Sequence, residues 1–190
     1  SGDHLDASST TFIKGLHKAF YDHLPERFLT VTTKEGGTRA VVPGEFRKAE
    51  VEVARHVAPA SASLPLFMDR FAEVYDHRSK LNVSRTKRVI AIAAAHHRLA
   101  WIHPFLDGNG RVMRLYSDAC FMAEELDGGG IWSIARGLAR SHDKYYEHLA
   151  NADSTRRGAR DGRGNLSMAG LVDFCRYFLR TAIDQVTFMH

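Results

Sequence analysis

The residues of this chain best suited to chemistry lie in one run, His103-Pro-Phe-Leu-Asp-Gly-Asn-Gly-Arg-Val-Met-Arg114. Gly108, Asn109 and Gly110 permit a tight, positive-φ turn with backbone N–H groups pointing inward at the start of a helix, an anion-binding arrangement. Arg111 and Arg114 are three apart, so both leave the first turn of that helix on one face. Two cations at a helix N-terminus suit a polyphosphate better than a single carboxylate. Asp107 is repulsive beside phosphates unless a divalent cation bridges them, so its position implies Mg2+. His103, four residues earlier, is the proton acceptor of the set, because an unperturbed imidazole is largely neutral at pH 7. Phe105 is expected to pack inward and fix the loop. Each feature alone has an ordinary structural explanation: a His-Pro pair at a helix end, a Gly-Asn-Gly turn, arginines solvated or paired with Asp118. Their combination carries the chemistry.

The elements that must position this run are mostly helical. Thr11 to Leu24 places Phe12, Leu16, Ala19 and Phe20 at helical spacing, and Pro25 ends it. Residues 30–45 are polar and glycine-rich, with Gly36-Gly37 and Pro43-Gly44 as turn signals. Val51 and Val53 alternate with Glu50, Glu52 and Ala54, which predicts a short hairpin around residues 48–57. Phe67, Phe71 and Val74 share a face of a helix over 66–75. Ser84 is placed to cap a helix through Trp101, apolar all round between 89 and 95 and therefore central and buried. Past the motif, Val112, Leu115, Ala119, Met122 and Leu126 recur at helical intervals until Gly128-Gly129-Gly130. Two further helices are predicted, Ile131 to Ala152 and Ser167 to Phe188, the last with Leu171, Phe174, Phe178 and Ile183 toward the core. The arginine- and glycine-rich stretch from Thr155 to Asn165 reads as a mobile loop.

Composition bounds the rest. The chain has 190 residues, 44% of them apolar and 25% charged, as expected of one globular domain. Residues 1–9 read as a tag remnant or flexible leader, and 10–190 as the domain. Two cysteines, Cys120 and Cys175, cannot form a disulfide scaffold, which favours a reducing, cytoplasmic setting. The net charge is +4, but Arg156, Arg157, Arg160 and Arg163 with Asp161 account for +3 of it. No helix shows the basic face with interleaved aromatics that nucleic-acid binding requires, so that alternative ranks low. A metal hydrolase built on His96, His97, His103 and Asp107 ranks low as well. Adjacent histidines on a helix point apart, and His96 and His97 read as ordinary helix residues.

The run resembles the signature of the Fic family, His-x-Phe-x-(Asp/Glu)-Gly-Asn-Gly-Arg-x-x-Arg. His103, Phe105, Asp107, Gly108, Asn109, Gly110, Arg111 and Arg114 meet every fixed position. The resemblance extends to Gly44-Glu-Phe-Arg47 followed by Val51 and Val53, which looks like the family's flap, and to Tyr145-Tyr-Glu-His-Leu149, similar to the helix that closes over the nucleotide base. It implies an all-α Fic fold, a helical bundle around a central buried helix with a short β-hairpin flap.

The resemblance also implies an activity: transfer of AMP from ATP to a Ser, Thr or Tyr hydroxyl of a target protein. His103 would be the general base and Asp107 the Mg2+ ligand. Gly108, Asn109 and Gly110 would cradle the α-phosphate, and Arg111 and Arg114 the outer phosphates. Tyr145, Leu149 and Asp153 would line the adenine pocket, and Val51, Glu52 and Val53 would receive the target protein at the flap. Glycine at position 110 favours nucleotidylation over phosphorylation, since phosphorylating relatives resemble this pattern with Lys there. Transfer of UMP or another nucleotide, phosphocholine transfer and AMP removal are the alternatives within the family. The inhibitory pattern (Ser/Thr)-x-x-x-Glu-(Gly/Asn) is not met by any glutamate of the chain, the nearest being Glu35-Gly36 with Val31 at the hydroxyl position. A regulatory inhibitory helix is therefore expected to be absent, supplied by another chain, or carried by a preceding segment outside this sequence, and the chain itself to be constitutively active.

Overall fold

A computed structural model describes residues 7–32, 36–53, 56–76 and 83–188. Among these, seven α-helices dominate: α1 (Thr10–Tyr21), α2 (Leu64–Tyr75), α3 (Arg85–Ile102), α4 (Asn109–Ala123), α5 (Ile134–Arg140), α6 (His142–Ala152) and α7 (Met168–Phe188). Two antiparallel hairpins complete the chain, β1 (Thr30–Thr32) with β2 (Thr38–Ala40), and β3 (Glu52–Val53) with β4 (His56–Val57). The all-α class and the small hairpin match expectation. The hairpin β1–β2 does not, since its threonine- and arginine-rich strands are exposed and carry no buried alternation to announce them. Val51 lies just outside β3, though its carbonyl still accepts from the Ala58 N–H, while Ala54 lies outside the described residues.

Helix α3 is the axis of the bundle and packs against α2, α4 and α7. Its buried face is Ile92, Ala93, Ala95, Leu99 and Ile102, together with His96 and His97; Ile90 is exposed. The alanines allow α4 and α7 to approach closely, and α1 then closes on α4. Helix α1 starts at Thr10 because the Ser9 side chain accepts from the Phe12 N–H. Ala7 and Ser8, just ahead of the helix, are buried, and residues 1–6 of the expected leader lie outside the described residues.

Several helix faces differ from the apolar register. In α4 the buried residues are Val112, Met113, Tyr116, Ser117, Cys120 and Phe121, while Leu115 and Met122 face outward. The helix ends at Ala123, before the glycines, where Glu125 takes φ +55°. On α2 the core face is Leu64, Met68 and Phe71 rather than Val74. On α7 Ile183 is exposed, and Thr181 and Gln185 are buried instead. The single helix expected from 131 to 152 is broken at Ser141 (φ −123°, ψ 43°) into α5 and α6. Asp118 and Ser133 cap α5, accepting from the N–H groups of Ile134 and Arg136.

The loop between α6 and α7, expected to be mobile, carries its own hydrogen bonds. Asp161 accepts from Arg157 N, Ser167 Oγ and Ala169 N, tying the loop to the start of α7, and these bonds hold its carboxyl down to about 2. Arg163 donates to the carbonyls of Ala152 and Ser167. No helix among the described residues is long and apolar enough to cross a membrane.

Candidate active site

Two left-handed residues define the motif loop. His103 (φ 51°, ψ 60°) caps α3, its N–H bonded to the Leu99 carbonyl, and Pro104 prevents the helix from continuing. Gly108 (φ 77°) turns the chain into α4. Positive φ thus falls at 103 and 108, and not at Gly110, which is already helical along with Asn109. Asn109 is buried, and its amide staples the loop by accepting from Phe105 N and donating to Phe105 O. Phe105 is fully buried and stacks on His17, 4.0 Å between centroids. With the loop pinned, Asn109 and Gly110 are the first residues of α4, where N–H groups have no intrahelical acceptor. The anion site expected from the spacing falls at this end of the helix.

Glycine is required at 108 on two counts. A Cβ there would sit 2.7 Å from Tyr21 Cε2, and the backbone is left-handed. Gly108→Ala is expected to destabilise the fold by about 1–3 kcal/mol and to displace the turn. A urea titration of the variant checks the loss of stability; wild-type stability would contradict the fit described.

His103 is the base candidate on geometric grounds. Its Nδ1 lies 3.3 Å from the Ala100 carbonyl, which can only accept, so Nδ1 carries the proton and Nε2 keeps its lone pair. Burial pushes the imidazole down to about 4, with His56 and Arg47 lowering it further against the opposing pull of Ala100 and Asp107. The ring is therefore neutral at pH 7.

The charged groups of the motif are partly or largely exposed. Asp107 has a half-exposed carboxylate whose Oδ2 accepts from the Tyr21 hydroxyl at 2.6 Å and lies 4.0 Å from Arg111 Nη1. Arg111 also rests over the Phe20 ring, 4.7 Å to its centroid. Arg114 leans to the other wall, near Tyr145 and His96. A Cβ at Gly110 would meet Arg114 Nη1 at 3.3 Å, so glycine here leaves that guanidinium room. The donor chemistry fits Mg2+ of one particular kind. Asp107 supplies a hard carboxylate oxygen, yet no group of three or more potential protein ligands exists among the described residues. One carboxylate suits an ion that arrives with phosphates and water rather than one held in a protein cage.

The expected base-pocket residues form one face of α6 and its end, with Tyr145 and Leu149 in the core and Asp153 partly exposed. Tyr145 is 2% exposed, and its hydroxyl donates to His96 Nε2 at 2.8 Å. His96 Nδ1 donates to Ser117 Oγ, which donates to the Met113 carbonyl. Leu149 belongs to the hydrophobic core. Asp153 accepts from His97 Nε2 at 2.9 Å and lies 3.5 Å from His56 Nδ1 of β4. His96 and His97 are thus buried anchors rather than ordinary helix residues, and burial holds His96 down to about 3. Their sequence signal, two adjacent histidines within an apolar helix, was visible but not its purpose.

The flap residues lie beside the motif. Val53 on β3 and Val57 on β4 are exposed, and the His56 Nε2–H donates to the Trp101 carbonyl at 2.7 Å. The chain before the flap is held by Arg47, whose buried guanidinium donates to three carbonyls, those of His103, Ala49 and Pro59. Neither Arg47 nor the α1 residues His17 and Tyr21 were evident as site residues from sequence.

A model of the Fic/DOC family matches residues 8–120, which takes in the whole motif loop. The chain belongs to the Fic/DOC family. Among curated proteins, this Fic/DOC chain is similar to the protein adenylyltransferase Fic of Drosophila grimshawi, 41% identical over 80 residues, and to that of Drosophila persimilis, 42% identical over 81 residues. Those matches take in 42% of this chain but only 16% and 15% of the respective relatives. In three dimensions it is similar to a Fic family protein from Desulfovibrio desulfuricans G20, with TM-score 0.67 and 21% identity over 96% of this chain and 47% of that one. A Fic domain containing signaling protein from Bacteroides thetaiotaomicron VPI-5482 gives 0.65 and 19% over 95% and 62%. These structures share the Fic fold.

Proposed function

We propose that this chain is a transferase that moves AMP from Mg-bound ATP to a hydroxyl side chain of another protein. The observation that carries the reading is the bare Nε2 of a neutral His103 in the same pinned loop as the α4 N-terminus, Arg111 and Arg114. His103 takes the hydroxyl proton as the target oxygen forms its bond to the α-phosphorus, and the bond from that phosphorus to the pyrophosphate oxygen breaks. The N–H groups of Asn109 and Gly110 stabilise charge on the α-phosphate oxygens, while Arg111 and Arg114 hold the outer phosphates. Asp107 would hold the Mg2+ that arrives with the nucleotide, and the ion would supply charge neutralisation on the phosphates. An extended target segment lies along Val51, Glu52 and Val53, where backbone pairing tolerates varied side chains. The curated relatives' name, protein adenylyltransferase, supports this reading, as does glycine at 110. With no glutamate of the chain in the inhibitory pattern, activity needs no release step from within it.

Intact mass after incubation with Mg2+ and each nucleoside triphosphate in turn tests the proposal. ATP is expected to add one nucleotide monophosphate to the protein itself or to a lysate protein. An increment from another triphosphate would change the base assigned, and none from any would remove the transfer reading.

A further inference from the structure

Helix α1 hydrogen-bonds the motif loop twice, both times at Asp107. Tyr21, 86 positions away in sequence, donates its hydroxyl to Oδ2 at 2.6 Å. His17, one turn earlier, bridges Gly44 and the Asp107 main chain: Nδ1 accepts from the Gly44 N–H at 2.9 Å, and Nε2 donates to the Asp107 carbonyl at 3.2 Å. The tyrosine ring cannot drift. It is 1% exposed, lies 4.6 Å from the His17 ring and 5.2 Å from Phe20, and lies against Gly108 so closely that no Cβ would fit.

The Asp107 carboxylate, by contrast, is half exposed and would by itself sample more than one orientation. One rigid donor on Oδ2 restricts the turning of the carboxylate and leaves its other oxygen for a cation. We propose that Tyr21 is a positioning residue that presents the Asp107 carboxylate to the divalent cation arriving with a nucleoside polyphosphate. Hydrogen bonds to the unused oxygen of a ligating carboxylate act in this way generally, and their loss typically weakens metal binding about 10–100-fold.

This inference rests on reading the loop as a metal–nucleotide site, but not on transfer. Tyr21→Phe keeps the ring against Gly108 and removes only the hydroxyl. Mn2+ binding is read by its electron paramagnetic resonance signal in the presence of α,β-methylene-ATP, which cannot be turned over at the α-phosphorus. The variant is expected to bind Mn2+ about 10–100-fold more weakly, while its affinity for the nucleotide in the absence of metal is unchanged. In an Asp107→Asn background the same substitution is expected to add nothing, because the oxygen it orients is gone. Wild-type Mn2+ affinity in Tyr21→Phe would overturn the proposal, and so would an equal loss in the Asp107→Asn background. If metal affinity responds as stated but no nucleotide is ever transferred, the transfer reading falls and this one stands.

Discussion

Replacing His103 with alanine is expected to cut nucleotide transfer by about 10²–10⁴-fold, the usual contribution of a positioned general base. The substitution should leave nucleotide affinity nearly intact, because the ring is not among the groups that hold phosphates. Labelling by the His103→Ala protein equal to wild type would remove His103 from the mechanism. The pH dependence gives a second, sharper reading. Only the neutral ring has a lone pair on Nε2, so activity is lost as pH falls through the folded-state value. Burial places that value at about 4 rather than at the ordinary 6.5. The acid limb of kcat/KM, which reports the free enzyme, is therefore expected near pH 4, with no His103 step near 6.5. Bound phosphates add negative charge close to the imidazole and favour its protonated form. The limb seen in kcat should accordingly lie at higher pH than the limb in kcat/KM. A single limb near 6.5 in both would mean that the imidazole is not desolvated as described.

What could be read in the sequence was whatever lies close together along it. The motif loop occupies twelve consecutive positions, and its glycines, its His-Pro pair and its two arginines each imply local backbone geometry. Helix existence was equally legible from apolar periodicity. Helix faces were less so, because several buried positions here are polar. His96, Ser117 and Tyr145 satisfy one another through hydrogen bonds, and so can occupy core positions that a count of apolar residues awards to Leu115 or Met122. The supports of the site were not legible, for a related reason. Tyr21 meets Asp107 across 86 residues, His17 across 90 and Arg47 meets His103 across 56. No local pattern marks a residue whose partner is set by tertiary packing. Tyr145 and Asp153 show the converse. The family resemblance assigned both to a base pocket, and no local pattern announced that their hydrogen-bond partners are histidines of α3.

Arg47 is the support whose loss should cost most in stability. Its side chain is fully buried, and its three donors reach His103 O at 2.8 Å, Ala49 O at 2.9 Å and Pro59 O at 2.5 Å; its own N–H bonds Pro104 O. Charge-assisted bonds of this type contribute about 1.5–3 kcal/mol each, and water entering the vacated space would recover part of that. Arg47→Met fills much of the volume with no donors and is expected to destabilise by about 3–5 kcal/mol. For a chain of this length that corresponds to a melting temperature lower by about 6–20 °C. Arg47→Lys should recover little, since one ammonium cannot span three carbonyls that a planar guanidinium joins. The functional consequence follows from which carbonyls these are. One belongs to His103, whose left-handed backbone would lose its outside partner, and two belong to the segments entering and leaving the flap. A loosened flap and a misdirected imidazole should lower kcat at temperatures where the Arg47→Met protein is still folded. A melting temperature within 2 °C of wild type, or full activity in the folded variant, would show that the flap is held by something other than this arginine.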